Sequence, residues 1–348
     1  MMENLKPSAV IEDMLLVSSP GEVGGLLCVD QTHASILSAR PSTGVYLDDE
    51  RVVVANQNDG GRSILVIEKQ RTRRYELSDH PLDLHDVLIE EESLFVVDTH
   101  NNQVSEFCLL NMEKVNSWGL PGEPDSAHMN SVVFYQGRLL ASIFGRFAKN
   151  REYKSGTLGF GQVIDVKTGE VFIDGLSQPH SLTACGELLY LCNSEESELR
   201  VYRGDQIKKS IPLEGYTRGI AISRNKIYVG ISLSRNALNA GKTISASIVT
   251  LNSKTLTAED EIPVPVPEIY DIRVIGNSQG LVLKAISSDN YEYLLKENVR
   301  LSQAYEELIG AYEQTKDAYE QTKDAYEQLK DAYEARLEAR IARWFKKA

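Results

Sequence analysis

The sequence predicts an all-β fold, a β-propeller of about seven four-stranded blades (six if one terminal unit is irregular), followed by a C-terminal α-helical coiled coil. Two repeats support this prediction. Residues 1–298 repeat short apolar runs at a period of about 40 to 50 residues, which is typical of propeller blades. Residues 299–348 repeat a tyrosine-containing heptad, which is typical of a coiled coil. We therefore expect a propeller domain, 1–298, and a helical tail, 299–348.

Each predicted blade opens with a β-hairpin, in which an apolar run, a tight polar turn and a second apolar run follow one another. The hairpins begin at Ser8, Thr43, Leu84, Met129, His180, Arg218 and Tyr270. A third run follows every hairpin, and a fourth follows all but the last. In the seventh unit the second and third strands are predicted at 280–285 and 291–295. That unit is one strand short, which leaves the closure of the ring open.

A polar ring is predicted at the start of the innermost strands. When the units are aligned on their second strands, equivalent positions hold Ser8, Thr43, His85, Asn130, His180, Arg218 and Tyr270. Two residues earlier, on the same face of each strand, stand Asp83, His128, Gln178, Tyr216 and Glu268. The positions two residues after the ring are apolar. The pattern predicts a polar mouth above an apolar or narrow waist.

The side chains of this mouth are the candidate functional residues. Imidazoles titrate near neutral pH and act as acid–base groups or metal ligands, so the predicted catalytic residues are His85, His128 and His180. The predicted ligand-binding residues are Asn130, Arg218, Tyr216, Arg151 and Tyr270. The spacing permits a metal on the three imidazoles without indicating one. The metal and any cofactor therefore stay unassigned, and a merely solvated channel is the alternative.

Two long loops are predicted to overhang the mouth, because the second strand of each blade ends where the first begins. Residues 143–160 and 231–245 form these loops, and their cations are Arg146, Lys149, Arg151, Lys154, Arg235 and Lys242. On a chain of net charge −13 such a cluster favours an anionic ligand, because arginine forks suit phosphate and carboxylate groups. The same net charge argues against nucleic acid as a partner. The alternative is that these loops are only solvated.

The tail carries one stripe at alternating spacings of three and four. Its members are Tyr305, Leu308, Tyr312, Thr315, Tyr319, Thr322, Tyr326, Leu329 and Tyr333. The stripe predicts a homo-oligomer formed through the coiled coil, with a solvated single helix as the alternative. The basic end around Trp344 and Phe345 suits weak contact with an anionic membrane surface, or the closing turn of the coil. Since there is no signal-like or membrane-spanning apolar stretch, we expect a cytoplasmic protein.

Several motifs occur in order along the predicted propeller. They are His85–Asp86, HMN at 128–130, Phe144–Gly145, GQVID at 161–165, GLSQPHS at 175–181 and GYTRG at 215–219. With these motifs the sequence resembles, over residues 8–290, an uncharacterised bacterial family of β-propeller proteins of unknown function. Family members are often found beside glycosyltransferases, so the resemblance implies a glycan-related role. It implies no established activity and no cofactor.

Three functional hypotheses follow. The first is a ligand-binding propeller, whose catalytic activity the sequence leaves undecided, with an axial pocket for an anionic small molecule, a glycan or another sugar derivative. The second is an oligomeric protein-interaction scaffold without catalytic activity. The third is a peripheral membrane protein held by its last residues.

Overall fold

In the computed structural model of the protein, residues 13–21, 23–58, 61–68, 71–77, 82–232, 245–276 and 279–345 are described. The chain divides into two compact units, Met1–Asn290 and Tyr291–Ala348, and each is described by itself. The ring residue Ser8 and most of the loop 231–245, with Arg235 and Lys242, lie outside the described residues.

The first unit contains six antiparallel sheets of four strands, arranged as the blades of a propeller. The strands of the first three blades are β1 (Leu15–Ser19), β2 (Gly25–Val29), β3 (Ala34–Ser38), β4 (Ser42–Leu47), β5 (Arg51–Asn58), β6 (Gly61–Glu68), β7 (Thr72–Glu76), β8 (Leu84–Glu90), β9 (Ser93–Asp98), β10 (Gln103–Cys108) and β11 (Lys114–Gly119). Those of the other three are β12 (Ser131–Tyr135), β13 (Arg138–Ile143), β14 (Gly161–Asp165), β15 (Val171–Leu176), β16 (Pro179–Cys185), β17 (Leu188–Asn193), β18 (Glu198–Arg203), β19 (Gln206–Pro212), β20 (Tyr216–Ile222), β21 (Lys226–Ser232), β22 (Ala246–Asn252) and β23 (Ala258–Val264).

The ring closes through β24 (Asp271–Val274), which pairs with β1 in the order β24-β1-β2-β3. Asp271 lies opposite Ser18, and Val274 lies opposite Leu15. The first and seventh predicted units are therefore one blade built from both ends of the propeller, and the blade number is six rather than seven.

The strands predicted at 280–285 and 291–295 are wrong, because both segments lie in the helix α1 (Gln279–Phe345). This helix also begins ahead of residue 299, where the tail was predicted to start. Short apolar runs fit a helix face as well as a strand, so their pattern alone does not separate the two. No described helix has an apolar stretch long enough to span a membrane.

The core of the propeller consists of six apolar clusters, one at each interface between neighbouring blades. Strand β5 shows the principle. Val52 and Val54 pack towards the first blade, whereas Val53 and Ala55 pack towards the third. Because successive side chains point to opposite faces of a strand, an uninterrupted apolar run is what a strand buried between two blades requires.

The inner strands are also tied to one another by hydrogen bonds from side chains next to the polar ring. Asp271 accepts the Val45 amide at 3.0 Å, and Asp86 accepts the Val132 amide at 2.9 Å. Ser131 and Ser181 accept amides of the following blades at 3.2 and 2.8 Å. The same position in the second blade is Gly44, where a Cβ atom would lie 2.4 Å from the Asp86 Cα.

The apolar residues two positions after the ring pack between blades instead of forming the predicted waist of the channel. They are Val45, Val87, Val132, Leu182, Ile220 and Ile272, each a member of an interface cluster. The reason is local: four inner strands shift register at or beside the ring, with β-bulges that re-aim the side chains.

Candidate functional site

Three adjoining cavities lie where the inner strands meet. The imidazole cavity, about 240 Å³, is lined by His85, His128, His180, Gln178, Tyr216 and Arg218 among others. The cationic cavity, about 460 Å³, is lined by Arg62, Arg151, Lys154, Asp83 and Thr43 among others, and it shares His85 and His128 with the first. The axial cavity, about 10 Å³, is lined by Asp86, Asp271, Asn130, Tyr270, His180 and Arg218 among others. All described residues of the predicted mouth thus line at least one of these three adjoining cavities.

His128 is held as a neutral imidazole with one nitrogen directed by a carboxylate. Its Nδ1 lies 2.8 Å from Asp125 Oδ1, which fixes the proton on Nδ1. Burial lowers the pKa of His128 to about 4, although the bond to Asp125 acts in the opposite direction. Nε2 takes no hydrogen bond from the described residues and is left as an acceptor for a ligand.

Asp125 is a functional candidate that the sequence did not reveal. Its Oδ2 accepts hydrogen bonds from Arg151 Nε at 2.6 Å and from the Tyr153 hydroxyl at 2.9 Å, while Oδ1 binds His128. Burial would raise its pKa, but the hydrogen bonds from these three side chains lower it. Asp125 therefore stays ionised and orients His128. The Asp-x-x-His spacing ahead of β12 was the available signal.

His180 also carries its proton on Nδ1, but the acceptors of that proton differ from the acceptor at His128. Its Nδ1 lies 2.9 Å from the Gln178 carbonyl and 2.9 Å from Ser194 Oγ. Because a carbonyl only accepts and Ser194 donates its own proton to the Thr217 carbonyl, Nδ1 of His180 must carry the proton. Burial, together with the charge of Arg218, holds the pKa of His180 well below its usual value. A second neutral imidazole therefore lines the imidazole cavity.

His85 differs from the other two histidines. Its Nε2 lies 3.3 Å from Asp83 Oδ2, and its Nδ1 is buried with no hydrogen-bond partner in the described part of the chain. Burial acts to raise the pKa of Asp83, but the charge and hydrogen bond of His85 and a bond from Gln57 hold it well below the usual range. Asp83 is therefore a permanent carboxylate, with both oxygens in use.

Arg218 lies at the junction of the imidazole and axial cavities. It forms a buried ion pair with Glu268, and its guanidinium carbon lies 3.7 Å from the centre of the Tyr270 ring. The Nε of Arg218 and the hydroxyl of Tyr270 are both buried, and neither forms a hydrogen bond of good geometry with a described residue. The two side chains are in contact and interact electrostatically with each other.

Two of the predicted ligand-binding residues, Asn130 and Tyr216, form hydrogen bonds with neighbouring protein groups. Both ends of the Asn130 amide are bonded, to the His128 carbonyl at 3.1 Å and by Ser142 Oγ at 2.8 Å. The Tyr216 hydroxyl donates to Gln178 Oε1 at 2.7 Å. Asn130 therefore fixes the wall of the site, and Tyr216 contributes its ring to the lining.

Beneath the site, Asp86 and Asp271 face the axial cavity. Burial and the neighbouring Asp271 raise the pKa of Asp86 to about 7. Burial likewise raises the pKa of Asp271, which Arg273 opposes with an ion pair of 2.8 Å. Sequence reasoning missed this pair, because strict alternation along the strand places Asp86 on the opposite face from His85.

The backbone of the site is strained. Asp125, His128, Arg151, Gln178 and Ser181 all have φ between 48° and 58°. Non-glycine residues seldom adopt this left-handed region, at a cost of about 1 to 3 kcal/mol each. Such residues tend to cluster at ligand sites, where surrounding contacts hold a required geometry.

A family model described as a domain of unknown function (DUF4915) matches residues 42–282, more than half of the chain. The chain belongs to this family. Every described residue of the three cavities except Pro20 lies within the matched DUF4915 segment. A search of curated proteins finds no significant match.

Solved structures of low sequence identity share the fold of the DUF4915 domain. A protein of unknown function from Bacteroides caccae is 10% identical with a TM-score of 0.55, covering 75% of this chain and 98% of that chain. A chain of the nidogen/laminin complex is 11% identical with a TM-score of 0.55, covering 76% and 98%. At these identities the similarity shows the fold alone.

Among the described residues, the DUF4915 domain brings only some of the predicted loop cations to the imidazole and cationic cavities. Arg151, Lys154 and Arg218 line the cavities, and Arg62 joins them from β6. Arg146 instead bonds to Gln162 and to the Gly169 carbonyl, and neither Arg146 nor Lys149 lines these cavities. Arg62 was missed because it belongs to a strand instead of a long loop.

In the described part of the DUF4915 domain, no group of three or more His, Cys, Asp or Glu side chains has the arrangement of a metal site. His85 and His128 stand edge to face with ring centres 5.1 Å apart, and each directs one nitrogen to its own aspartate. The arrangement gives no support to the three-imidazole metal site that the sequence left open.

Proposed function

We propose that the propeller binds an anionic small molecule or sugar derivative in the imidazole and cationic cavities. The observation that carries this proposal is the pair of neutral imidazoles, His128 and His180, whose Nδ1 protons are fixed by protein acceptors. Each leaves Nε2 as a hydrogen-bond acceptor in the same cavity. A ligand that satisfies both must present hydroxyl or amide protons.

The walls of the imidazole cavity suit a hydroxylated ring. Phe144 packs against both imidazoles, with ring centres 4.2 Å from His128 and 5.1 Å from His180. Tyr153 lies 4.7 Å from His128. Aromatic faces beside a few directed polar groups are typical of sites for polar ligands with apolar faces. This combination supports a sugar derivative as the ligand.

Any catalysis at this site would begin with His128 and His180 as neutral imidazoles protonated on Nδ1. Because both imidazoles are neutral at pH 7, His128 and His180 would accept a proton from a ligand hydroxyl, and Asp125 would stabilise the resulting imidazolium of His128. His85, with Nε2 directed to Asp83, and the buried Arg218 would stabilise charge beside them.

Thermal-shift measurements with the full-length protein test the proposal. The ligands are uridine diphosphate glucose, glucose 1-phosphate, glucuronate and glucose. We expect the hydroxylated anions to stabilise the protein, by about 2.7 kcal/mol at a hundred times the Kd. His128→Ala and His180→Ala should lose this stabilisation.

The matched control is His33→Ala, because His33 is an exposed imidazole on the first blade, with 79% of its side chain accessible. This variant should respond to ligands as the wild type does. Undiminished ligand stabilisation in both the His128 and His180 variants would contradict the proposal.

A second function, assembly, is supported by the helical unit. The stripe tyrosines of α1 are each 65% to 69% exposed, and Leu308 and Leu329 are 67% and 71% exposed. The Thr315 and Thr322 hydroxyls donate to the carbonyls of Ala311 and Ala318 at 2.8 Å. These threonines would therefore bring no unsatisfied donor into a helix–helix interface.

The flanking positions of the heptad favour a parallel arrangement of two or more copies. With tyrosine at position a, position e holds Lys316, Lys323 and Lys330, and position g holds Ala311, Ala318 and Ala325. Antiparallel helices would place e beside e and bring lysines together, whereas parallel helices place e beside g. We propose that α1 associates in parallel with other copies of this chain.

A further inference from the structure

We propose that the cationic cavity is a phosphate subsite, so that the ligand carries a phosphate or diphosphate group there. This inference rests on the proposed function and names the class of ligand. The two cavities share His85, His128, Tyr153 and Lys154 in their walls, so one molecule can occupy both. The cationic cavity, about 460 Å³, is the larger of the two.

Two of the three Arg and Lys side chains that line this cavity, Arg62 and Lys154, form no ion pair with any described residue. The Arg62 Nε is buried and has no hydrogen-bond partner among those residues. The Nε of Arg151 donates a hydrogen bond to Asp125, and this bond fixes the plane of the guanidinium group. The two terminal nitrogens of Arg151 are left for a ligand. In the imidazole cavity, by contrast, Arg218 is already paired with Glu268, and Glu195 adds a further carboxylate.

The one acidic side chain among the described residues lining the cationic cavity is Asp83, and its oxygens are engaged. Gln57 Nε2 donates to Oδ1 at 2.7 Å, and His85 Nε2 lies 3.3 Å from Oδ2. The three cations Arg62, Arg151 and Lys154 therefore outnumber the two carboxylates that line the cavity or pair with one of its cations, Asp83 and Asp125. This excess is local, because the chain as a whole has a net charge of −13.

The geometry of the donors favours phosphate over carboxylate. Two guanidinium groups and an ammonium approach from two different blades, Arg62 from β6 and the other two from the β13–β14 connection. A tetrahedral phosphate presents oxygens in several directions, whereas a carboxylate presents two in one plane. Arginine forks and a lysine point charge are the side chains that proteins use for phosphate.

Calorimetric titration of the full-length protein with inorganic phosphate, pyrophosphate, glucose 1-phosphate, glucuronate and glucose tests the subsite. We expect the wild type to bind both inorganic probes, and to bind glucose 1-phosphate more tightly than either glucose or phosphate. Arg62→Ala and Lys154→Ala should each weaken every phosphate-containing probe about tenfold. Binding should also fall with rising salt concentration, since it depends on charge.

The controls remove a cation without touching the cavity. Lys149→Ala removes an exposed lysine of the same loop as Lys154, and Arg203→Ala removes an arginine that is 60% exposed and pairs with Glu187. Both should bind phosphate as the wild type does. Thermal unfolding of each unliganded variant establishes that it is folded before the titrations are compared.

The outcomes separate the subsite from the proposed function. Glucose 1-phosphate that binds equally well to the wild type, Arg62→Ala and Lys154→Ala would overturn the subsite and leave the proposed function standing. Inorganic phosphate that binds in an Arg62-dependent manner, with no gain from the sugar, would support the subsite and count against a sugar derivative as ligand. Tighter binding of glucuronate than of glucose 1-phosphate would overturn the phosphate assignment.

Discussion

At the scale of single residues, Asp86 and His128 should give the stability of the propeller opposite dependences on pH. The pKa of Asp86 is raised from about 3.9 to about 7, so the folded state holds a proton that the unfolded chain has lost. Its contribution is present below pH 4 and is lost as the pH rises to 7. The pKa of His128 is lowered to about 4, so its contribution is present above pH 6.5 and is lost as the pH falls to 4.

We expect Asp86→Asn to gain stability relative to the wild type as the pH rises from 4 to 8. The amide mimics the protonated carboxyl, since its oxygen still accepts the Val132 amide and it carries no charge towards Asp271. The gain at pH 8 should be roughly 1 to 3 kcal/mol. Urea unfolding at a series of pH values measures it. A difference from the wild type that stays constant with pH would show that Asp86 is already ionised near pH 4.

His128→Gln should behave in the opposite way. Relative to the wild type it should be least stable near pH 7 and should recover as the pH falls from 6.5 to 4, because the wild type alone must then protonate a buried imidazole. The same urea series measures this difference, and His33→Ala serves as the exposed-imidazole control. If the His128→Gln difference does not change over this range, then His128 is not held neutral by burial.

The sequence could predict only those site residues that occupy equivalent positions in the repeated strands. Alignment of the repeats placed His85, His180 and Arg218 at equivalent positions, and these residues do meet around the axis. The partner of His128, Asp125, lies in a connection outside the repeat. Asp86 faces the axis because the register of β8 shifts between Leu84 and Asp86. Such a bulge leaves no periodic pattern in the sequence, so it could not be predicted.

At the scale of elements, the closing strand β24 is the shortest of the described strands and joins the two ends of the ring. Ile272 at its centre is fully buried in the cluster between the sixth and first blades. Ile272→Ala should therefore lower the free energy of unfolding by about 2 to 5 kcal/mol. Urea denaturation measures this loss.

The control for this prediction is Ile36→Ala, which makes the same change on β3, the outer strand of the same blade. Ile36 is 60% exposed, so its loss should cost little. Hydrogen exchange adds a second readout, because loosening β24 should speed exchange of the β1 amides that pair with it. Equal effects of the two substitutions would mean that the closure contributes no more than an outer strand does.

The closure of the ring could not be predicted from the sequence pattern, and the reason is physical. Each hairpin is a local feature and can be recognised from turn residues and apolar runs, whereas the pairing of Asp271 with Ser18 joins residues far apart in the chain. The pattern supplied seven starts and no information on which of them share a sheet. The tail heptad, in contrast, is local throughout, and the helix follows it over its whole length.

At the scale of the whole molecule, the exposed stripe on α1 should determine the number of chains in the assembly. Tyr319→Glu places a charge at position a, where parallel helices would bring identical residues together, so like charges would meet at the interface. We expect this substitution in the full-length protein to lower the molar mass measured by light scattering after gel filtration.

Gln321→Glu adds the same charge at position c of the same heptad, away from the stripe, and should leave the mass unchanged. Because neither residue lies in the propeller unit, ligand-induced stabilisation should be the same in both variants. An unchanged mass in Tyr319→Glu would contradict self-association through this stripe, since a charge at its centre cannot be accommodated between packed helices without cost.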